Sequence, residues 1–175
     1  MIITGGKYKG RKVLLPDENI VRPTLSQIRE SVFSSLFSIT GKFEGKSFLD
    51  AFAGSGIMGL EALSRGFEKI IAVEKNLKVV KILKENYLKL KIEPNILIGD
   101  TLKKIEKFNE TFDVIYLDPP YKSGIYELIL KIIKEKKLLT ANGIIVIEHD
   151  RELSFEGFEL VKQKKYSGKF ITFLK

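Results

Sequence analysis

The sequence predicts an α/β protein with a doubly wound, mostly parallel seven-stranded sheet ending in an antiparallel C-terminal strand, preceded by a short hairpin and helix. Three observations carry this. From Phe48 to Ile147, apolar runs of strand length alternate with stretches of helical periodicity, the pattern of parallel strands joined by helical crossovers. The first run turns through Gly54, Gly56 and Gly59 into a helix, as a ligand-binding α/β unit begins, with Gly54 and Gly56 letting the backbone approach a ligand and Gly59 letting the helix pack close to the strand. The tail from Phe158 to Leu174 reads as two strands about Ser167-Gly168, and so short a connection favours antiparallel pairing.

Residues 2–15 read as a hairpin, with Lys7, Lys9, Arg11 and Lys12 on or beside its turn. Pro16 to Asn19 is a loop, and Thr24 is placed to cap a helix over Leu25 to Phe37. Ile28, Val32, Phe33, Leu36 and Phe37 give that helix one apolar face, while the polar Arg22, Arg29 and Glu30 have no role that periodicity assigns. The strands that follow Phe48 are Ile70–Val73, Ile96–Ile98, Phe112–Leu117 and Ile144–Ile147, the last opening after Gly143. Between them lie helices over Leu77–Leu90, with Val80, Leu83, Tyr87 and Leu90 inward, over Leu102–Ile105, and over Tyr126–Lys136. Residues 1–46 thus form an appendage and 47–175 one α/β unit.

At 175 residues the chain can build one full core but not two ordinary domains. It has no cysteine and no apolar run near the roughly 20 residues of a membrane span. Its start lacks the build of a signal peptide, so a cytoplasmic protein without metal is expected, and its size and basic surface suggest a monomer. The net charge of +8 favours polyanionic partners, nucleic acid first. Both ends are basic, the tail through Lys162, Lys164, Lys165, Lys169 and Lys175.

Four of the five central strands end in an acid, at Glu74, Asp100, Asp118 and Glu148, and the first carries Asp50 just before its glycines. Strand ends face the ligand crevice of such a fold, so the set is more informative than any member. Glu74, 18 residues after Gly56, stands where a carboxylate meets ribose hydroxyls, which suits nicotinamide dinucleotides and S-adenosylmethionine alike. Asp100 is placed to meet an adenine amine. Asp50 beside the glycine turn would attract an ammonium and repel a pyrophosphate, which tilts the choice toward S-adenosylmethionine.

Asp118-Pro119-Pro120-Tyr121 decides it. The exocyclic amine of a nucleobase is planar and a poor nucleophile, because its lone pair is delocalised into the ring. Two acceptors on its hydrogens draw the nitrogen toward a tetrahedral shape as it attacks a methyl group. The Asp118 carboxylate supplies one acceptor and the Pro119 carbonyl the other. The prolines fix φ and offer no competing N–H, and Tyr121 offers a face on which an extruded base can stack. His149, the single histidine, is expected to be structural, since this chemistry needs no imidazole base.

Here the chain resembles the amino-directed class I S-adenosylmethionine-dependent methyltransferases of Rossmann-like fold. Within them it is similar to the RsmD-like family, which methylates the N2 of a guanine in small-subunit (16S) ribosomal RNA. The resemblance is carried by Gly6-Lys7-Tyr8-Lys9-Gly10-Arg11-Lys12, by Arg22-Pro23-Thr24, Arg29-Glu30 and Phe33, by Phe48 to Gly56 with Gly59 to Gly66, and by Asp118 to Tyr121. It implies that Asp50, Phe52, Gly54, Gly56, Glu74, Lys75, Asp100 and Thr101 hold S-adenosylmethionine, and that Asp118, Pro119, Pro120 and Tyr121 hold the target base. It also implies that Lys7, Lys9, Arg11, Lys12, Arg22 and Thr24 face ribosomal RNA in a small ribosomal subunit or its assembly intermediate. Tyr166-Ser167-Gly168-Lys169 departs from the family's Tyr-Gly-Lys, and no role is carried onto it.

Other readings make different demands. An adenine-N6 or cytosine-N4 methyltransferase of DNA would share the Asp-Pro-Pro-Tyr loop, but no separate target-recognition domain is visible. A nicotinamide-dependent oxidoreductase would have no use for that loop. A noncatalytic RNA-binding protein would have no need of intact cofactor and base-handling motifs.

Overall fold

A computed structural model describes residues 1–16, 26–120, 124–166 and 168–175. Thr24, Arg22, Tyr121 and Ser167, singled out above, lie outside the described residues. In chain order the elements are α1 (Ser26–Thr40), β1 (Ser47–Asp50), α2 (Ile57–Ser64), β2 (Lys69–Glu74), α3 (Leu77–Lys89) and β3 (Ile96–Ile98). After them come α4 (Thr101–Ile105), β4 (Phe112–Leu117), α5 (Ile125–Glu135), β5 (Leu139–His149), β6 (Leu160–Tyr166) and β7 (Lys169–Leu174).

The strands form one seven-stranded sheet in the order β3-β2-β1-β4-β5-β7-β6. β1 to β5 pair in parallel, and β7 inserts between β5 and β6, antiparallel to both. The order reverses between β1 and β4, so their carboxyl ends flank the crevice where folds of this kind bind ligands. The predicted class therefore holds.

Strict alternation along the strands divides the core in two, because successive side chains leave a strand on opposite faces. Phe48, Val114, Tyr116, Val146, Ile171 and Phe173 pack with α1, α2 and the N-terminal hairpin. Leu49, Ile71, Ile115, Leu117, Ile145 and Ile147 pack with α4 and α5. On the first face Phe33, Phe43, Phe48 and Phe67 form a ring cluster with centroids 4.7–6.5 Å apart. Phe48 is fully buried there, and Phe48→Ala would cost about 3–5 kcal/mol through the lost transfer energy and the cavity left behind.

Some boundaries differ from the sequence reading, each for a local reason. β5 begins at Leu139 rather than after Gly143, because the β4–β5 register shifts between Phe112 and Val114. Gly143 sits at that irregularity, where a Cβ would come 2.9 Å from the Phe112 carbonyl oxygen. α1 runs on to Thr40, and Phe37, expected inward, is 56% exposed. The true inner face adds Arg29 and Ser35 to Ile28, Val32, Phe33 and Leu36. In α3, Val79 and Asn86 are buried along with Val80, Leu83 and Tyr87, while Leu90 is only half-buried.

The N-terminal hairpin is real but short. Ile2 bridges Lys12, the Ile3 amide donates to the Arg11 carbonyl at 3.0 Å, and the Val13 amide donates to the Met1 carbonyl at 2.8 Å. Ile3 and Val13 are buried in the first core, which seats the hairpin on the α2 side of the sheet and leaves its basic side chains outward.

Candidate active site

The five strand-end acids lie along one edge of the sheet in strand order: Asp100 after β3, Glu74 on β2, Asp50 on β1, Asp118 after β4 and Glu148 on β5. Parallel strands bring all their carboxyl ends to the same edge, so a list scattered over the sequence becomes a row.

Asp50 is the most unusual of them. It is 1% exposed, and neither carboxylate oxygen has a hydrogen-bond partner. Desolvation pushes its carboxyl up from 3.8 to about 7. The nearby backbone N–H groups of Gly59 and Phe52, which fall short of hydrogen-bond geometry to it, pull the other way, and the charges of Glu74 and Glu148 push it further up. A buried carboxyl without a partner is destabilising by itself. It fits a cationic ligand group, and the ammonium of S-adenosylmethionine is one.

The loop from Ala51 to Gly56 is held from every side. The Ala51 amide donates to the Tyr116 carbonyl at 3.1 Å, and the Ala53 amide to that of Val73 at 2.9 Å. The Gly54 amide donates to Glu74 Oε2 at 3.0 Å, while the Asn76 amide donates to Oε1 at 2.8 Å. Glu74 thus clamps the loop and remains half-buried beside it, with acceptor capacity left on both oxygens. Thr101 is buried, and its hydroxyl donates to the Ala51 carbonyl at 2.8 Å. That hydroxyl holds the loop rather than pointing out of it. Phe52 is half-buried, packed on the α4–α5 side, and Lys75 is exposed after β2.

Gly56, read from sequence as a point of backbone approach to a ligand, turns toward protein the side on which a side chain would stand. Its φ is +80°, and a Cβ would meet Tyr87 at 2.9 Å and Leu83 at 3.0 Å. Only glycine combines that left-handed turn with so close an α3. A Cβ on Gly59 would meet the Tyr87 hydroxyl oxygen at 2.2 Å and Ile70 on β2 at 3.0 Å. The close packing expected there holds, with α3 as a second neighbour besides the strand.

Asp100 is exposed and caps α4, accepting from the Lys103 amide at 3.2 Å. The Gly99 amide donates to the Glu74 carbonyl at 3.0 Å, which fixes Asp100 beside the Glu74 strand end. Across the switch point Asp118 is only partly exposed, Pro119 is buried and Pro120 is exposed. Burial pushes the Asp118 carboxyl well above the usual carboxylate range. Glu148 and Asp50 add to this, and Lys169 opposes it.

Lys7, Lys9, Arg11 and Lys12 are all exposed on the hairpin, and the Lys7 ammonium lies 5.3 Å from the Tyr8 ring centroid. His149 is buried in a hydrogen-bonded chain. Gln163 donates to Thr172 Oγ1 at 2.9 Å, Thr172 Oγ1 is 2.8 Å from His149 Nε2, and His149 Nδ1 is 2.6 Å from the Arg151 carbonyl. The ring stacks on Phe170 at 5.2 Å. Burial lowers its pKa, and the neutral ring completes this chain as a structural residue. Among the described residues no cluster of acids and histidine is arranged to hold a metal ion. No described helix is long and apolar enough to cross a membrane.

The family model described as Conserved hypothetical protein 95 matches residues 1–175. The chain belongs to that family, the RsmD-like one. Ribosomal RNA small subunit methyltransferase D of Buchnera aphidicola subsp. Acyrthosiphon pisum is 34% identical, over 93% of this chain and 86% of that protein. The protein of the same name from Haemophilus influenzae is 32% identical over the same shares, 93% and 86%. The solved structure of a hypothetical protein from Thermus thermophilus superposes with a TM-score of 0.84 at 28% identity, covering 100% of this chain and 99% of that one.

Two signatures of the RsmD-like resemblance, distant in sequence, meet in space. Arg29 of α1 is fully buried, and its Nε donates to Glu61 Oε1 of α2 at 3.1 Å. Arg65 pairs with Glu61 Oε2 and lies over the Phe33 ring, 4.7 Å from its centroid. The Thr4 amide donates to Glu61 Oε1 at 2.8 Å, and Arg29 Nη2 donates to the Ile2 carbonyl at 2.8 Å. Ser64 accepts from the Tyr8 amide at 2.8 Å and donates to the Gly5 carbonyl. At Gly6, with φ +77°, a Cβ would fall 1.7 Å from the Ser64 carbonyl oxygen. Asn86 of α3 exchanges hydrogen bonds with Leu14 at 2.8 and 3.0 Å and donates to the Ser55 carbonyl at 2.9 Å. One side chain thus joins the hairpin to the glycine loop. The sequence places Arg29 and Glu61 in separate motifs without pairing them, because periodicity says nothing about which helices meet.

Proposed function

We propose that the protein transfers a methyl group from S-adenosylmethionine to the exocyclic N2 amine of a guanine in small-subunit ribosomal RNA, as a cytoplasmic monomer that needs no metal. The observation that carries this reading is the Asp118-Pro119-Pro120 loop beside the unpartnered carboxylate of Asp50 at the sheet's switch point. The names of the relatives support ribosomal RNA as the substrate class.

The bound cofactor supplies a methyl group on a positively charged sulfur, which leaves with the carbon–sulfur electron pair as the amine nitrogen bonds to carbon. The chain's own residues arrange that encounter. Asp50 meets the cofactor's ammonium, Glu74 its ribose hydroxyls and Asp100 its adenine amine. Phe52, Gly54, Gly56, Lys75 and Thr101 shape the same pocket, Gly56 and Thr101 by fixing the loop. The Asp118 carboxylate and the Pro119 carbonyl accept the two amine hydrogens, and Pro119 and Pro120 bring no N–H to compete. Tyr121 stacks on the extruded base. Catalysis is then mostly alignment, which can supply on the order of 7–11 kcal/mol. Residues 1–46 form the RNA-facing appendage. Lys7, Lys9, Arg11 and Lys12 bind phosphates in a salt-dependent way, together with Arg22 and Thr24.

The test is transfer of a labelled methyl group to small ribosomal subunits lacking their own modification, followed by digestion to nucleosides. Label in N2-methylguanosine is expected. Label on adenine or cytosine would keep the amine chemistry and overturn the guanine assignment.

A further inference from the structure

Beside Asp118, the sheet edge holds a group of side chains to which methyl transfer, as described, gives no task. Glu148 ends β5 fully buried. The Tyr116 hydroxyl donates to its Oε1, and the Lys169 ammonium lies 3.4 Å from its Oε2. The Tyr126 hydroxyl donates to its backbone carbonyl at 3.1 Å, so Glu148 is held at both ends. The pairs Tyr116↔Val146 and Leu117↔Ile147 place the next residues, Asp118 and Glu148, side by side on neighbouring strands. On the far side His149 pairs with Phe170, which brings Lys169, the first residue of β7, to the same edge. Among the described residues, the charged or titratable groups facing Asp118 are Asp50 from β1, Tyr116 on its own strand, Glu148 from β5 and Lys169 from β7.

We propose that Glu148 and Lys169 are positioning residues that act on the methylation through Asp118: Glu148 is the negative neighbour that readies the Asp118 carboxylate to take a proton, and Lys169 holds Glu148 in place and offsets its field. The inference rests on reading Asp118 as the group that meets the target amine. After methylation the nitrogen carries a positive charge and must lose a proton. The N–H bond breaks, its electron pair stays on nitrogen, and an O–H bond forms on Asp118, which later releases the proton to water. A carboxylate beside a second carboxylate is a better acceptor for that proton, and a nearby ammonium is the natural limit on the effect. The opposed influences of Glu148 and Lys169 on the Asp118 carboxyl agree with this arrangement.

The test is carbon-13 NMR of the aspartate carboxyls in the full-length chain, with the Asp118 signal assigned by its loss in Asp118→Asn. Glu148→Gln should lower the Asp118 midpoint and Lys169→Met should raise it, each by about one pH unit, with Lys169→Arg restoring the native value. The acid limb of the rate profile should move in the same two directions, in kcat and not in KM for RNA. Midpoints unmoved by both changes, or moved the same way by both, would overturn the inference. If Glu148→Gln fails to fold, the lysine pair decides alone: a rise with methionine and a return with arginine support the proposal, and no change overturns it. A wild-type chain that methylates no RNA overturns the proposed function instead, and the titration still judges the coupling.

Discussion

The chain buries acidic groups in two places and treats them in opposite ways. At the junction of the hairpin with α2, Glu61 is fully buried and pairs with Arg29 and Arg65, and it also accepts from Thr4. At the edge of the sheet, Asp50 is as deeply buried and has no partner, while Asp118 stands among other acids, with Lys169 as the opposing charge among the described residues around it. Burying a charge is costly unless it is paired and hydrogen-bonded. The first site meets that demand inside the protein and therefore serves structure, fixing the basic hairpin against the body. The second leaves the demand open, as the proposed function requires of a site for a cationic cofactor and a substrate amine. The paired Glu61 belongs to the scaffold, and the unpaired Asp50 belongs to the site.

Changes at four places would break or sharpen this contrast. The largest effect is expected at Asp118. Asp118→Ala should lower methyl transfer by about 10²–10⁴-fold, with the thermal unfolding curve unchanged or moved slightly upward. A comparable loss of fold would put Asp118 with the scaffold. The converse holds for Glu61→Gln, which leaves Arg29 buried without its anionic partner. It should lower unfolding free energy in urea by about 3–5 kcal/mol, and cofactor affinity of the folded fraction should be retained.

Asp50 links the contrast to pH. Its folded pKa of about 7 lies above the ordinary 3.8, so the folded form holds a proton that the unfolded chain releases. The stability from that proton is full below about pH 4 and is lost as pH rises to about 7. Without cofactor, stability should therefore fall over this window, and Asp50→Asn should flatten the fall. Cofactor affinity should run the other way, rising up to about tenfold per pH unit below 7 as the carboxyl ionises, and calorimetry at several pH values would show it. Affinity independent of pH would separate Asp50 from the ammonium. The smallest effects belong to the exposed hairpin. Lys9→Ala and Arg11→Ala should each reduce the salt slope of RNA binding by about 1, without effect on the chemical step measured at saturating RNA.

The elements of the sheet were readable because apolar spacing depends only on neighbours in the chain. So were the strand-end acids, since the end of an apolar run is visible in the sequence. The first residues to escape were those defined by contacts across long separations. Gly56 reads as a ligand approach, but Tyr87 and Leu83 on α3 occupy the space a Cβ would take. Thr101 reads as a cofactor contact, but its hydroxyl binds the Ala51 carbonyl. Lys169 reads as one lysine of a basic tail, and only the insertion of β7 beside β5 brings it to Glu148.

By itself, then, the amino-acid sequence determined the α/β class, the order of the elements, the glycine turn and the acids available to a ligand. All of these follow from local patterns of polarity and turn chemistry. The tertiary structure decided which of those acids are neutralised by the protein and which are left for a ligand. It did so because the fate of a buried charge depends on the groups that strand register and helix packing bring to it, and those groups come from distant parts of the chain.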